Sequence, residues 1–354
     1  MKKIVIALML FLSMSTGVLA NGDSQLYKGE ITEASRSETN PGVIDFKAKV
    51  VILDGERKGD EVVINQQLLT GETTIEYKKG DKVLLTEAKD LDGGETFYIT
   101  DYYRSDALLL LFGLFILVTV IVAGKHGFRA VISMVISFII ISQVTLPMII
   151  DGRDAIFVTT ITSLILIPTI FYISHGFTKK AHIAIIGVLA AIIVTSLLTR
   201  IFVNLTNITG LTDDDTIFLQ FFNGGSFDLK SIYIAGVIIS LSGILDDATI
   251  SQVSIVQQLN ETNRKMKAFD LYKRAMEVGK DHISSMVNTL VLVYAGSSLP
   301  LLILFTNSQY PLGQLVNLEV ITEEVVRTLV GSIGLIIAIP ITTYIAANYY
   351  GKEN

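Results

Sequence analysis

Long apolar runs, broken by short polar loops, fill the chain from residue 106 to its end. Seven of these runs lie near residues 107–124, 130–150, 155–174, 181–203, 231–258, 283–305 and 325–347. Each run is long enough to cross a hydrocarbon core of about 30 Å as a helix. Because backbone groups inside lipid must bond within their own segment, helices are the expected form. The pattern predicts a polytopic membrane domain over residues 105–354, with a bundle of seven transmembrane helices.

A different pattern covers residues 24–104, where apolar positions alternate with polar ones and charges are dense. Segments 47–53, 61–64, 82–86 and 96–100 alternate as strands do, with glycine and aspartate at the turns between them. Short strands of this kind are typical of a small antiparallel barrel, OB-like in size, or of a sandwich. The fold class predicted for the whole chain is therefore an all-α membrane bundle preceded by a small β module.

The first twenty residues belong to neither region. Lys2 and Lys3 precede an apolar run that ends near Leu12, and small residues follow as far as Ala20. A basic start, an apolar centre and a small-residue end predict a secretory signal peptide over residues 1–20. An uncleaved membrane helix is the alternative, although the run is short for a span of about 20 residues. Both interpretations export the β module.

The distribution of lysine and arginine predicts the orientation of the helices. With the β module outside, the inner loops carry eleven of these residues and the outer loops carry three, at Arg153, Lys230 and Arg327. The excess on the inner side agrees with export of the N-terminal region. We therefore expect a multi-pass protein of a bacterial cell (plasma) membrane, with its C-terminus in the cytoplasm.

Composition supports a membrane protein and excludes several other classes. Half of the residues are hydrophobic, 18% are charged, and the mean hydropathy is +0.55. A net charge of −6 gives no basic field to attract nucleic acid. The chain has no cysteine, which excludes disulfides and thiolate metal sites, and its four histidines fit no zinc motif. Because no nucleotide-binding loop or hydrolase motif occurs, we predict no enzyme activity, no metal and no cofactor.

Two adjacent carboxyl groups, those of Asp246 and Asp247, lie within the fifth predicted span. An aspartate near a helix centre costs about 3 kcal/mol on insertion scales, so such a residue is a functional candidate. Neighbours on a helix point about 100° apart, so the two side chains meet different surroundings. Asp247 shares its row with small and polar residues, namely Ser240, Gly243, Ser251, Ser254 and Gln258. This row predicts that Asp247 faces the bundle or a water cavity; the position of Asp246 is open.

The sixth predicted span carries further polar residues. Ser284, Asn288 and Thr289 lie near its start, and at 1.5 Å per residue Asn288 reaches nearly the depth of Asp247. The sequence thus predicts an intramembrane polar site that comprises Asp247, Asp246, Ser251, Asn288, Thr289 and Ser284. Close packing or a helix break is expected at Gly243, Gly296, Ser297, Ser298 and Pro300. The alternative is that these polar groups only hold helices together, at about 0.6–2 kcal/mol per hydrogen bond.

Three segments carry a resemblance to a known family. They are GILDDATISQ at 243–252, GKDHISSMVNTLVLVYAGSSLP at 279–300 and RTLVGSIGL at 327–335. The chain resembles the YibE/F family of bacterial multi-pass membrane proteins over most of its length. The resemblance implies an integral membrane protein of no known activity. It places the family's intramembrane aspartate on Asp247, although the doublet with Asp246 departs from members that have a single aspartate.

Two functions from different classes follow as expectations. The first is a permease-like or transporter-like protein for a small solute or ion, in which Asp247 takes part in proton or cation coupling. The alternative is a non-catalytic scaffold or accessory subunit whose exported β module binds a protein partner. An enzyme acting on lipids is a third and weaker possibility. The expected partners are membrane lipids, a small solute or ion, or a protein bound by the β module, and not nucleic acid.

Overall fold

The structure is a computed structural model, and it describes residues 26–40, 43–69, 76–89, 95–212, 214–222, 227–306 and 311–351. The predicted signal peptide at residues 1–20 lies outside these described residues. The chain divides into two compact units, Met1–Val122 and Ala123–Asn354. The first holds the β strands, and the second holds most of the helices.

The first unit contains one antiparallel sheet, as the alternating pattern predicts. Its strands are β1 (Leu26–Asn40), β2 (Val43–Ile52), β3 (Glu61–Leu69), β4 (Lys82–Lys89) and β5 (Glu95–Tyr102). Their order in the sheet is β3-β2-β1-β4-β5. The long strand β1 pairs with β2 on one side and β4 on the other, and its Gly29 is opposite both Ile52 and Val83. The two end strands, β3 and β5, also lie close to each other.

A compact apolar core holds this sheet together. Buried and more exposed residues alternate along parts of the strands, as at Val50, Ile52 and Ile64. The largest buried side chain is Phe46, which is 1% exposed. The centroids of its ring and the ring of Tyr77 lie 5.6 Å apart. Aromatic packing of this kind fills the core of the β module.

Replacing Phe46 by alanine is expected to destabilise the β module by about 3–5 kcal/mol, because it leaves a cavity where a whole ring was buried. Hydrogen exchange of strands β2 and β3 in the full chain measures the loss. The matched control is Tyr98→Ala, since Tyr98 is 42% exposed and its removal opens no cavity. Equal protection in the two variants would contradict the role of Phe46 in the core.

Helices make up most of the described residues after β5. They are α1 (Ser105–Ile140), a π-helical turn (Ile141–Thr145), α2 (Leu146–Ile150), α3 (Ala155–His175), α4 (Lys179–Leu205), α5 (Asp214–Phe222), α6 (Leu229–Thr262), α7 (Ala268–Ser297), α8 (Leu299–Thr306), α9 (Leu312–Leu315) and α10 (Glu319–Tyr350). The long helices α3, α4 and α6 begin at side-chain caps. Asp154, Thr178 and Asp228 each accept a hydrogen bond from a backbone N–H of the first turn.

Five helical segments among the described residues are long and apolar enough to cross a membrane. They are Ser105–Ile150, Ala155–His175, Lys179–Leu205, Leu229–Thr262 and Glu319–Tyr350. The structure therefore confirms a mostly helical chain with membrane-spanning helices, but it does not confirm the predicted number of seven.

The difference arises at two places. The predicted spans 107–124 and 130–150 lie in one helical segment of 46 residues, which is interrupted where Gly124 adopts a φ of 57°. The predicted span 283–305 covers the second half of α7 and all of α8, and the helix breaks at Ser298 between them. Glycine allows the first break because it lacks Cβ, and Pro300 cannot donate the hydrogen bond that would continue α7.

Helices α4, α6 and α10 pack together at the centre of the second unit, and α3 and α7 pack against them. Small residues allow the close approach of α4 and α10. A Cβ on Gly187 would overlap the side chain of Thr342, and a Cβ on Gly334 would overlap Thr195. Contacts of small residues are the usual way in which membrane helices associate, since lipid gives no hydrophobic drive between them.

Candidate functional site

The centre of the candidate site is Asp247, near the middle of helix α6. One face of this helix is buried in the bundle, with Ile238, Leu241 and Leu245 along it. Asp247 follows Leu245 by two residues, which is about 200° around the helix. Its side chain therefore lies on the opposite face, where it is exposed in the single chain. No adjoining helix of the described chain covers it.

A polar stripe runs along this exposed face of α6. We define it by Gly236, Ser240, Gly243, Asp247, Ser251, Ser254 and Gln258, all of which are exposed or half-buried. At 1.5 Å per residue the stripe is about 33 Å long, which is the full thickness of a hydrocarbon core. The small and polar residues of the predicted row lie on one face of α6, and this face points outward from the single chain.

Asp246 lies in different surroundings. Its side chain is half-buried, and its Oδ1 atom is buried with no hydrogen-bond partner among the described residues. Its backbone carbonyl accepts a hydrogen bond of 3.1 Å from the Thr249 hydroxyl. The two adjacent carboxyl groups therefore differ, since one faces outward within the stripe and the other is partly enclosed by protein.

Hydroxyl groups join helices elsewhere in the second unit. Thr145 donates to Thr162 at 3.1 Å, and Ser174 donates to Ser133 at 3.0 Å. These are the interhelical hydrogen bonds expected between membrane helices.

The polar stripe makes no such bonds among the described residues. The hydroxyls of Ser240 and Ser254 donate to carbonyls of α6 itself, those of Val237 and Ile250. No hydrogen bond from the Asp247 side chain is present in the part of the chain that the structure describes. Within one chain, the stripe therefore does not hold helices together.

The residues predicted to join Asp247 lie on helix α7. Ser284, Asn288 and Thr289 are all exposed, and the Thr289 hydroxyl donates to the carbonyl of Ser285. Between the described residues no hydrogen bond joins Asp247 to Asn288, so a single chain does not form the predicted pair.

The predicted packing residues also lie apart from the core. Close packing is expected at Gly243 and Gly296, but a Cβ on either glycine would meet nothing within 4 Å. Ser297 and Pro300 are exposed at the break between α7 and α8. Ser298 lines a largely apolar cavity of about 290 Å³ between α7, α8 and α10. In the single chain, close packing is provided instead by Gly187, Gly334 and Gly279.

A buried amide fixes the position of α7 beside α6. The Nε2 atom of Gln252 donates to the carbonyl of Ala275 at 2.9 Å, and a Cβ on Gly279 would lie 3.0 Å from the same nitrogen. Gln252 is fully buried. A glutamine within an apolar span is the sequence feature that could have predicted this contact, but no role was predicted for Gln252.

One titratable group of a neighbouring helix, the imidazole of His175, lies within electrostatic range of Asp247. His175 is the last residue of α3, and it is also within electrostatic range of His126 and Lys180. Among the described residues, no cluster of three or more histidine or acidic side chains could hold a metal ion.

A second polar cluster, absent from the sequence predictions, lies at the start of α10. Arg327 pairs with Glu324 at 3.1 Å, and its guanidinium lies 5.3 Å from the centre of the Tyr233 ring. The Tyr233 hydroxyl donates to the carbonyl of Glu323 at 2.6 Å. In the sequence, the close spacing of Glu323, Glu324 and Arg327 on one helix could have predicted this cluster. Arg327 was instead counted with the outer loops, although the predicted span began at 325, and the structure places it inside α10.

These features define a helical membrane protein that carries a carboxyl group at membrane depth. Residues 111–352 match the family described as YibE/F-like protein. The match covers more than half of the chain, and the chain belongs to this family. No curated protein and no solved structure matches it. The resemblance seen in the three sequence segments is thus confirmed.

Proposed function

We propose that this YibE/F-like protein is a permease-like protein of a bacterial cell membrane, and that a small solute or ion moves along the polar stripe of α6. Asp247 takes part in proton or cation coupling on this path. The observation that carries the proposal is the stripe itself. It places an exposed carboxyl group among small and hydroxyl-bearing residues over the whole thickness of a membrane.

The energetics favour a hydrated stripe over contact with lipid. An aspartate near the centre of a lipid-facing helix costs about 3 kcal/mol on insertion scales. Interhelical hydrogen bonds would repay this cost, but the described side chains of the stripe make none within the chain. Contact with water offsets this cost. Because glycine and serine occupy little volume, the stripe also leaves room for a polar solute.

The β module is expected to lie outside the cell and the C-terminus inside, as the loop charges and the predicted signal peptide indicate. We also propose that the module is an OB-like barrel. The strand order β3-β2-β1-β4-β5 and the approach of β3 to β5 support closure of the sheet into a barrel.

The test obstructs the stripe without disturbing the fold. Gly243→Leu places a bulky side chain on the stripe at a position where a Cβ meets nothing within 4 Å. The purified protein is reconstituted in liposomes, and the movement of protons, sodium and potassium is followed with fluorescent reporters under imposed gradients. We expect the variant to move the transported ion about tenfold more slowly than the wild type, a barrier increase of about 1.4 kcal/mol.

Gly113→Leu is the matched control, because Gly113 on α1 also has open space around its Cβ position. It should leave the rate unchanged. Equal rates in the Gly243→Leu variant and the wild type, or no movement of any tested ion by the wild type above empty liposomes, would overturn the proposed function.

A further inference from the structure

We propose that a second copy of this chain covers the polar stripe, and that α6 and α7 of the two copies enclose the path around a two-fold axis. This assembly deepens the proposed function, because it names what closes the open side of the path. The observation behind this proposal is that two neighbouring helices carry exposed polar groups at membrane depth. These groups are the polar stripe of α6 and the residues Ser284 and Asn288 of α7.

The two polar faces occur at matching depths. The contact of Gln252 with Ala275 and Gly279 sets α6 and α7 side by side in opposite directions. Asp247 precedes Gln252 by five residues, and Ser284 follows Gly279 by five. Each therefore lies about 7.5 Å from that contact, on the same side of it. By the same rise, Asn288 reaches the level of Gly243.

Neither face is turned toward the core of its own chain. Asp247 lies opposite the buried Leu245, and Asn288 follows the buried Gly279 by nine residues, which is half a turn around α7. The described residues form no hydrogen bond between the two faces. The pair predicted from the sequence is therefore matched in depth but not joined within one chain.

A second copy supplies the hydrogen-bonding groups that each face lacks. The α6 stripe offers the acceptor oxygens of Asp247 and two small residues that permit close approach, Ser240 and Gly243. The α7 face offers donors, the Ser284 hydroxyl and the Asn288 amide. A two-fold axis along the membrane normal keeps every residue at its depth. It therefore brings the acceptors of each copy level with the donors of the other, and the contact forms twice.

Lipid does not provide this complement, since acyl chains neither donate nor accept hydrogen bonds. The exposed apolar residues of α4, such as Ile186 and Ile193, suit lipid. The polar faces of α6 and α7 instead suit contact with the same two faces of a second copy, with water enclosed between them.

Cysteine cross-linking tests the assembly directly, because the chain has no native cysteine. Two differently tagged copies are co-expressed in membranes, one with Gly243→Cys and the other with Asn288→Cys, and oxidised with copper phenanthroline. We expect a disulfide-linked dimer that carries both tags, since the two Cα atoms should lie within the reach of about 7 Å.

The control pair is Ile193→Cys with Ile165→Cys, at positions 68% and 57% exposed on the apolar surfaces of α4 and α3. We expect about tenfold less dimer from this pair. Equal yields from both pairs, or no dimer from the first pair, would overturn the assembly. A copy that carries both Gly243→Cys and Asn288→Cys, expressed alone, should give a dimer. A disulfide within the monomer would instead show that one chain closes the path by itself.

The failure of this inference is separable from the failure of the proposed function. Cross-linking reports contact between copies and needs no transport, whereas the liposome assay reports movement and needs no knowledge of the assembly. A dimer without ion movement would retain the interface and reject the permease. Movement without a dimer would retain the permease and reject the shared path.

Discussion

Replacing Asp247 by asparagine is expected to slow ion movement through the reconstituted protein about tenfold or more, while the fold and the assembly of two copies are kept. Asparagine has nearly the same volume as aspartate and still offers an acceptor oxygen. It cannot release a proton or attract a cation as a carboxylate does. The substitution therefore removes the coupling chemistry and leaves the packing of the stripe in place.

Two control variants locate the effect. Asp246→Asn changes the adjacent carboxyl group, which is half-buried and lies off the stripe, and Asp281→Asn changes an exposed aspartate on α7. We expect both to retain most of the wild-type rate in the same liposome assay. A larger loss in Asp246→Asn than in Asp247→Asn would assign the function to the other member of the doublet.

Within the membrane unit, a substitution at Gly187 should have the largest effect on stability. Gly187→Val is expected to destabilise the membrane unit by about 3 kcal/mol, the upper end for overpacking. The added side chain would overlap Thr342 at the contact between α4 and α10. Because both backbones at this contact belong to central helices, the neighbours cannot move away without opening the bundle. Thermal unfolding in detergent measures the change.

Gly113→Val is the control for valine in a helix, since its position is surrounded by open space. It should shift the unfolding temperature little. Combining Gly187→Val with Thr342→Ala should restore part of the stability, because alanine removes two of the three nearest atoms. If the double variant is no more stable than the single one, the proposed contact does not limit the packing of α4 and α10.

The sequence predicts the type of each region well, because periodicity reports directly on the surroundings of a helix or strand. Alternation predicts the β sheet, and long apolar runs predict the helices. The number of spans is harder to predict, since it depends on single residues. Gly124 interrupts one helical segment without a polar loop, and the second half of α7 is divided from α8 at Ser298.

The spacing of polar residues also predicts which residues make up the candidate site, but it does not predict which way their side chains point. In a soluble protein, a polar row on a helix faces water. In a membrane the same row suits a protein neighbour, a cavity or a partner chain equally well. Only the packing of α6 against α4 and α10, together with the burial of Leu245 and the exposure of Asp247, shows that Asp247 points away from the bundle of its own chain. Gln252 and Arg327 depend likewise on partners that are distant in sequence.

The buried Gln252 has a consequence for motion. Its bond to the carbonyl of Ala275 has no water to replace it, so sliding α6 along α7 would leave the buried Nε2 atom of Gln252 without a partner. The two helices should therefore tilt as a single rigid hairpin.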